Sequence, residues 1–320
     1  MSRRPPVEIV VVMASFESRY WTGIVPAMET KTTTVLTPDG RSLCVESGGD
    51  TTGRPVLVHG GTPNSRHMAN PWLEDAEGRG IHLISYDRPG YGGSTAQPGR
   101  SIADCASDVQ AIANAFGIDR LAVWGVSGGG PHALACAALL PDLVSAVAAL
   151  ASLAPYGEPG LDYFTGMGQA NVDDIRLFLD DPAAAREKSV QDRIDVLQRT
   201  PETVHSGLAS LLSATDAAVL SYDVASFFVT SAKDGLAPGD QGWWDDGCAH
   251  MAPWGFEFDA IRIPVQLWHG AQDQFVPFQH GQWLAARIPG VEAHLTDSDG
   301  HLTLLVHRVP EVHEWLLQHT

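Results

Sequence analysis

The sequence predicts an α/β fold in which helices cover both faces of a mostly parallel central sheet. Three observations lead to this prediction. Short buried apolar runs alternate with helix-like segments through residues 54–151 and again after residue 260. A glycine-flanked serine, Ser127, separates one such run from an alanine-rich segment. A stretch with few strand signals, residues 152–259, interrupts the alternation. Alternating strands and helices form parallel sheets, because each parallel pair needs a crossover connection.

The chain before Ser127 begins with a predicted hairpin, since two β-type runs flank the turn residues Pro38-Asp39-Gly40. Strands then follow where apolar residues run together, and helices where they recur at helical spacing. Ser101 is predicted to cap one helix and Gly117 to end it. The predicted elements are strands Thr32–Leu36, Ser42–Val45 and Val56–His59, helix Arg66–Glu77, strand Ile81–Ser85, helix Ser101–Phe116, strand Leu121–Trp124, helix His132–Leu140 and strand Ser145–Leu150.

The motif Gly125-Val126-Ser127-Gly128-Gly129 carries the strongest chemical signal. G-x-S-x-G between a strand and a helix is typical of a nucleophile elbow, a turn with room only for glycine at its flanks. Such a turn raises the serine hydroxyl above the sheet. The next helix, with Pro131 in its first turn, directs free N–H groups to the same point. The alternative is a plain glycine turn, which a five-residue pattern also fits.

Two later loops supply candidates for a base and an acid. Asp273 follows the predicted strand Pro264–Gly270, and His301 ends the loop after Val291–Thr296. A histidine titrates near neutral pH and can take the serine proton, while an aspartate can orient the imidazole. Asp273 also suits an ordinary turn. The rivals of His301 are His294, His307, His313 and His319, none of which lies in a short polar loop after a predicted strand.

The strand Val56–His59 breaks into a loop that can bind an oxyanion through backbone N–H groups. Gly61 and Gly128 are the predicted donors, and Thr62 remains an alternative to Gly61. His59 is interpreted as a structural residue of this turn. A local ion pair between Asp87 and Arg88 is predicted to brace the loop after the next strand.

These motifs together resemble the serine-type α/β-hydrolase fold family, and they span the chain from about residue 32 onward. The resemblance implies a Ser127–His301–Asp273 triad beneath an inserted helical cap. In some members of the family the acid follows the preceding strand, where Glu158 is the next acidic residue here. The motifs that carry the resemblance are His59-Gly60-Gly61, Tyr86–Ser94, the elbow, His269-Gly270 with Asp273 and Val276-Pro277, and Gly300-His301.

The expected organisation is an N-terminal extension of residues 1–27, a core of residues 28–151 and 260–320, and a helical cap of residues 152–259. Cap helices are expected at Val172–Leu179, Ala183–Arg199 and Val204–Leu212. One or two of the aromatic residues of this region are expected to line a pocket and the others to pack within the cap. These aromatics are Tyr156, Tyr163, Phe164, Phe227, Phe228, Trp243, Trp244 and Trp254.

Charge and cysteine content narrow the function further. With 20 basic and 38 acidic residues the net charge is −18, which opposes binding to nucleic acid or to anionic membranes. The predicted partner is a small-molecule substrate. Four scattered cysteines lack metal-ligand spacing, so free thiols, a reducing cytoplasmic location and no metal or other cofactor are expected.

The leading functional hypothesis is hydrolysis of a small carboxylic ester or lactone through an acyl-enzyme on Ser127. The alternative is an aminopeptidase similar to proline iminopeptidases, in which acidic cap residues bind the substrate amine. Candidates for that role are Glu158, Asp162, Asp173 and Asp174. A cofactor-free perhydrolase or haloperoxidase, or a receptor that retains the fold without catalysis, completes the set of hypotheses.

Overall fold

The computed structural model describes residues 28–320, so the predicted extension of residues 1–27 lies outside it. Within the described residues, eight strands form one sheet in the order β1-β2-β4-β3-β5-β6-β7-β8. The strands are β1 (Lys31–Leu36), β2 (Ser42–Gly49), β3 (Arg54–His59), β4 (Ile81–Tyr86), β5 (Leu121–Val126), β6 (Val144–Leu150), β7 (Val265–Gly270) and β8 (Glu292–Thr296).

Only the first two strands depart from the parallel arrangement. β1 and β2 form the predicted antiparallel hairpin, and β2 also runs antiparallel to β4. All other neighbours in the sheet are parallel, with Leu57 of β3 opposite Val123 of β5 and Leu267 of β7 opposite Ala293 of β8. The predicted fold class is therefore confirmed. The carboxyl ends of β3, β5, β7 and β8 point to one edge of the sheet, where loops that carry function collect in open α/β folds.

Helices cover both faces of the sheet, as predicted. Alternate strand residues face opposite sides, so Leu57 and Val123 belong to one hydrophobic cluster and Val56 and Trp124 to the other. Both clusters are fully buried, which explains why the strands are apolar without alternation. The helices of the first face are α2 (Cys105–Phe116), α3 (Gly130–Leu139) and α10 (Phe278–Arg287), and those of the second are α1 (Asn70–Gly78), α11 (His301–His307) and α12 (Val309–Gln318).

Two helices begin later than the sequence predicts. α1 begins at Asn70 rather than Arg66, with a proline in its first turn. α2 begins at Cys105, because the backbone N–H and the hydroxyl of Ser101 both donate to the Asp104 carboxylate, at 2.6 and 2.8 Å. Ser101 thus closes a separate turn instead of capping the helix. Gly117 ends α2 in a left-handed conformation (φ 67°), as predicted.

The chain between β6 and β7, residues 151–264, is called the insertion below. It is helical, and its first three helices overlap the predicted ones. α4 and α6 each begin three residues earlier than predicted, and α6 ends at Gly207 rather than Leu212. Three further helices lie between residues 214 and 251, where no helix was singled out in the sequence. The helices of the insertion are α4 (Gln169–Asp180), α5 (Pro182–Gln198), α6 (Pro201–Gly207), α7 (Ala214–Val219), α8 (Tyr222–Leu236) and α9 (Gln241–Met251). The division into core and cap domains stays a prediction.

Truncation of the core should be costly only where the side chain is buried. Leu57→Ala removes a fully buried side chain of β3 and leaves a cavity, so the free energy of unfolding should fall by about 2–5 kcal/mol. Leu36→Ala, at the exposed end of β1 where the side chain is 73 % accessible, is the matched control. Urea denaturation measures both. A comparable loss in the two variants would contradict the assignment of Leu57 to the core.

Candidate active site

Ser127 lies in the turn between β5 and α3 with a left-handed backbone (φ 53°). The residues around it must be small. A Cβ atom at Gly125 would overlap the carbonyl of Gly129, and one at Gly129 would overlap the carbonyl of His59. Non-glycine residues rarely adopt positive φ and do so mainly at functional sites, where tight surroundings hold them. The turn at Ser127 therefore has the backbone and the close packing of the predicted elbow, and the role of the serine as a nucleophile stays a prediction.

Asp273 and His301 meet at the edge of the sheet where β7 and β8 end. The Nδ1 of His301 lies 2.7 Å from Oδ2 of Asp273. The other carboxylate oxygen accepts the backbone N–H groups of Phe275 and Val276, at 2.8 and 2.9 Å. Both side chains are almost completely buried. Because a carboxylate can only accept, His301 holds its proton on Nδ1 and leaves Nε2 free to take another.

His301 is the first residue of α11 rather than the end of a loop, and its ring stacks on Phe275 with 4.6 Å between centroids. Burial alone lowers the pKa of His301. The negative charge of Asp273, its hydrogen bond and the charge of Asp216 outweigh burial, so the pKa is raised above the usual value of 6.5. This environment stabilises the imidazolium that forms when a histidine takes a proton.

The two predicted oxyanion donors face the same space. Gly61 packs against Ser127, since a Cβ atom there would lie 3.5 Å from the serine Cβ. The carbonyl of Gly128 accepts hydrogen bonds from Nδ1 of His132 and Nε2 of His250, at 2.9 and 3.0 Å. Burial lowers the pKa of both histidines, so each donates as a neutral ring. These two hydrogen bonds hold the peptide group between Gly128 and Gly129 in place.

The predicted ion pair between Asp87 and Arg88 does not form, because each residue has a distant partner. Asp87 binds Arg66 at 3.0 Å. Arg88 binds Asp246 of α9 at 2.6 Å and also donates to the carbonyls of Gly60 and Gly61. The guanidinium therefore ties the loop after β3, residues 60–62, to the insertion; this segment is called the oxyanion loop below, after its predicted role. A buried guanidinium needs a counter-charge. Because Asp87 is bound to Arg66, Asp246 supplies that counter-charge for Arg88.

Asp246 is the centre of this buried network. Its carboxylate binds Arg88 and Arg100, each at 2.6 Å, and accepts the hydroxyls of Tyr91 and Thr62. Burial raises the pKa of Asp246, but the two arginines outweigh it and hold the pKa well below its usual range. Sequence analysis missed Asp246, because its partners lie about 150 residues away in the chain.

A cavity of about 760 Å³ lies between the sheet edge and the insertion. Ser127, Gly61, Thr62, Gly128 and His301 are among the residues that line it. Five of the eight aromatics singled out from the sequence line it too, rather than one or two: Tyr163, Phe227, Phe228, Trp243 and Trp244. The sequence placed them in the right region, but helix rotation decides which side chains face inward.

The cavity wall also carries charge. Two cations, Lys188 and Arg199, stand against four carboxylates, Asp173, Asp174, Asp192 and Asp195. Lys188 is already bound to Asp174 and Asp192, at 3.0 and 2.6 Å. The walls as a whole are therefore apolar with an acidic excess.

The rival residues are placed away from this site. His294 stacks on Trp268 in the sheet and binds Glu292. His313 is buried against Asp75, and His319 bonds the carbonyl of Trp315. Glu158, the alternative acid, is exposed in the loop before the insertion helices. His307 is the last residue of α11. None of these five residues lines the cavity within the described part of the chain.

A second cluster of potential ligand atoms lies beneath the oxyanion loop. His59, Cys105 and Cys136 are fully or almost fully buried, and one ligand atom of each lies within 4.8 Å of the others. Hydrogen bonding to Cys105 and to His59 lowers the pKa of Cys136 to about 6, although burial opposes it. Thiolate and imidazole are donors suited to soft metal ions. This cluster is not predictable from the sequence, because its three residues come from β3, α2 and α3 without the spacing of a metal-binding motif. All four cysteines are unbridged.

Comparison with known proteins agrees with this architecture. A family model described as the alpha/beta hydrolase fold matches residues 54–308. A 2-hydroxy-6-oxo-6-phenylhexa-2,4-dienoate hydrolase of Burkholderia cepacia is 24% identical over 270 residues, 77% of this chain and 80% of that protein. A pimeloyl-[acyl-carrier protein] methyl ester esterase of Aromatoleum aromaticum is 41% identical over 54 residues, 17% of this chain and 22% of that enzyme. The structure of a thermophilic esterase from Thermogutta terrifontis superposes with a TM-score of 0.65 at 21% identity, covering 91% of this chain and 100% of that one.

The family match spans well over half of the sequence, so the chain belongs to the alpha/beta hydrolase fold family. The protein is an enzyme of the hydrolase class. No helix among residues 28–320 is long and apolar enough to cross a membrane.

Loss of the Asp246 charge should destabilise the protein strongly. Asp246→Asn leaves two buried arginines without their counter-charge, so the free energy of unfolding should fall by about 3–5 kcal/mol in urea denaturation. The control is Asp234→Asn, which removes a carboxylate that is 39% exposed and binds Arg66. Such partly exposed pairs contribute about 0–1 kcal/mol. Equal losses in the two variants would show that the buried network does not hold the insertion to the core.

Proposed function

We propose that this protein is a serine hydrolase that cleaves a small-molecule carboxylic ester or lactone through an acyl-enzyme on Ser127. One observation carries the proposal. The strained serine, the two oxyanion glycines and a histidine bonded to a buried aspartate converge on one cavity. Each of these features has a defined task in acyl transfer.

The proposed reaction has two halves. His301 accepts the Ser127 proton at Nε2 while the serine oxygen attacks the carbonyl carbon, and Asp273 stabilises the imidazolium. The N–H groups of Gly61 and Gly128 bind the carbonyl oxygen as it becomes negative. The imidazolium then protonates the leaving alcohol, and a water deprotonated by His301 hydrolyses the acyl-enzyme. A lactone follows the same path, but its leaving hydroxyl stays attached to the acyl group.

The cavity wall favours a neutral, apolar acyl group over an anionic one. Most of the wall is hydrophobic or aromatic, and its acidic side chains outnumber its basic ones. An anionic substrate, such as the dienoate named for the Burkholderia cepacia relative, would meet this acidic excess without a free pair of cations to balance it. Ester cleavage of an uncharged substrate is therefore preferred here to carbon–carbon cleavage of a dienoate.

An aminopeptidase is the second candidate, and one observation favours it. Asp173 and Asp174, two of the four acidic residues proposed for amine binding, line the cavity that contains Ser127. The other two do not: Glu158 is exposed, and Asp162 accepts hydrogen bonds from Thr165. Rapid cleavage of proline p-nitroanilide with negligible turnover of p-nitrophenyl butyrate would favour the aminopeptidase over the esterase.

The serine mechanism is tested by labelling and turnover together. A fluorophosphonate probe should modify the wild type at Ser127, and Ser127→Ala should abolish labelling and reduce p-nitrophenyl butyrate turnover by about 10⁴-fold or more. Ser189→Ala is the matched control, because Ser189 lines the same cavity without belonging to the proposed triad. His301→Gln should lose activity on a similar scale, whereas His294→Gln should retain it. Full activity in Ser127→Ala would overturn the proposal.

The pH dependence should report the titration of His301. Because the base acts only when neutral, kcat/KM should rise with pH along a limb whose midpoint lies above 6.5, the direction in which the two nearby carboxylates move the pKa. Initial rates from about pH 5 to about pH 9 measure this limb. A midpoint below 6.5 would contradict the electrostatic role assigned to Asp273.

Acyl size should also affect the rate. If the apolar cavity holds the acyl chain, kcat/KM should rise from p-nitrophenyl acetate to butyrate to octanoate, since each buried methylene contributes about 0.8 kcal/mol. A p-nitrophenyl monoester of a dicarboxylic acid, matched in length to the octanoate, should react more slowly because its terminal carboxylate meets the acidic wall. Fastest turnover of the acetate would show that the large cavity does not receive the acyl group.

A further inference from the structure

The helix that carries His301 lacks a side-chain cap of its own. α11 begins at His301, and the residue before it is Gly300, which has no side chain to accept the first N–H groups. Those N–H groups need partners when a helix begins in the protein interior. The partner comes from the insertion. Asp216 of α7 places its carboxylate at the start of α11, about 85 residues away in the chain.

The contacts of Asp216 are specific to this helix end. Its Oδ2 accepts the N–H of His301 at 2.9 Å, and its Oδ1 accepts the N–H of Leu302 at 2.7 Å and that of Thr303 at 3.2 Å. The Ser213 hydroxyl donates to Oδ2 at 3.2 Å. The side chain of Asp216 is completely buried. A buried carboxylate that accepts three backbone N–H groups at a helix start is held firmly, since the helix dipole adds to the hydrogen bonds.

Gly300 matches this arrangement sterically. A Cβ atom at Gly300 would overlap the carboxylate of Asp216. The backbone there is extended (φ −107°), so its conformation does not require glycine. The carboxylate therefore occupies the space that a side chain at position 300 would fill.

We propose that Asp216 is a positioning residue for the base: its carboxylate caps α11 from the insertion and fixes the backbone from which the His301 imidazole bonds to Asp273 and faces the cavity that Ser127 also lines. This inference rests on the proposed function, in which His301 is the base. It makes the insertion part of the catalytic machinery as well as the wall of the cavity. Its charge acts on the imidazole in the same direction as that of Asp273.

Few other charges face His301. Asp273 is bonded to its Nδ1, and His269, 3.8 Å from Asp273, is neutral because burial lowers its pKa. Asp299, two residues before the base, is bound to Arg308 at 3.0 Å. Burial lowers the pKa of His301 and the charges of Asp273 and Asp216 raise it, so replacing either carboxylate should move the pKa down.

The test replaces Asp216 and follows both turnover and the imidazole. Asp216→Asn keeps the shape but puts an amide nitrogen against backbone N–H groups and removes the charge. We expect kcat for p-nitrophenyl butyrate to fall by about 10–100-fold, as small displacements of a catalytic group do, with a smaller change in KM. We also expect the midpoint of the acid limb of kcat/KM to move to lower pH. Asp245→Asn is the matched control, because Asp245 is also a buried aspartate of the insertion, on α9, but accepts a hydrogen bond from Gln241.

A second variant probes the contact from the other side. Gly300→Ala should displace the Asp216 carboxylate while leaving that residue in place. We therefore expect kcat to fall and the midpoint of the acid limb of kcat/KM to move in the same direction as in Asp216→Asn. If Asp216→Asn does not fold, Gly300→Ala carries the test. Unchanged kcat and an unchanged limb in the folded variants would overturn the proposal. A lower kcat with an unmoved limb would also overturn it, because a merely structural role predicts that result.

The pKa of His301 can also be followed without turnover. Carbon-13 NMR of histidine-labelled protein gives the titration, and the resonance missing from His301→Gln identifies the base. A lower pKa in Asp216→Asn, with no change in Asp245→Asn, supports the proposal even in a protein that hydrolyses no ester. The fluorophosphonate experiment separately decides whether Ser127 is the nucleophile, so failure of the proposed function and failure of this inference are distinguishable.

Discussion

The left-handed backbone at Ser127 is the constraint on which the rest of the site depends. Such a conformation costs on the order of 1–3 kcal/mol and persists only where the surroundings enforce it. Here β5 is buried on both faces of the sheet and α3 is buried against one of them, and the glycines between β5 and α3 allow the end of β3 to come into contact. The same absence of side chains that permits the turn brings the oxyanion loop against the serine. The glycines on either side of Ser127 therefore account both for the tight turn and for the contact between this turn and the loop after β3.

Buried carboxylates from the insertion hold the two loops that surround this turn. Asp246 neutralises Arg88, which binds the carbonyls of the oxyanion loop, and Asp216 receives the first N–H groups of α11. Away from water such interactions are strong when complete and costly when one partner is missing. The insertion is consequently joined to the core at both sides of the cavity, and its folding is coupled to the geometry of the site.

The core elements were predictable because their signals are local. Apolar runs, helical spacing and turn residues locate β3, β5 and α3 from neighbouring residues alone, and the fold class follows from their order. Helix starts were less predictable: Ser101 binds Asp104 in a turn of its own, so α2 begins at Cys105. The ion pairs were not predictable either, because Arg88 selects an aspartate 158 residues away over its neighbour Asp87.

The sequence by itself determined the strand–turn–helix around Ser127, the order of serine, aspartate and histidine along the chain, and the glycine loop after β3. Only the tertiary structure decided which carboxylate binds Arg88, which aromatics face the cavity and that Asp216 caps the helix of His301. The physical reason is the range of the interactions. Backbone conformation responds to adjacent residues, whereas the pairing of buried charges and the lining of a cavity depend on how distant elements pack.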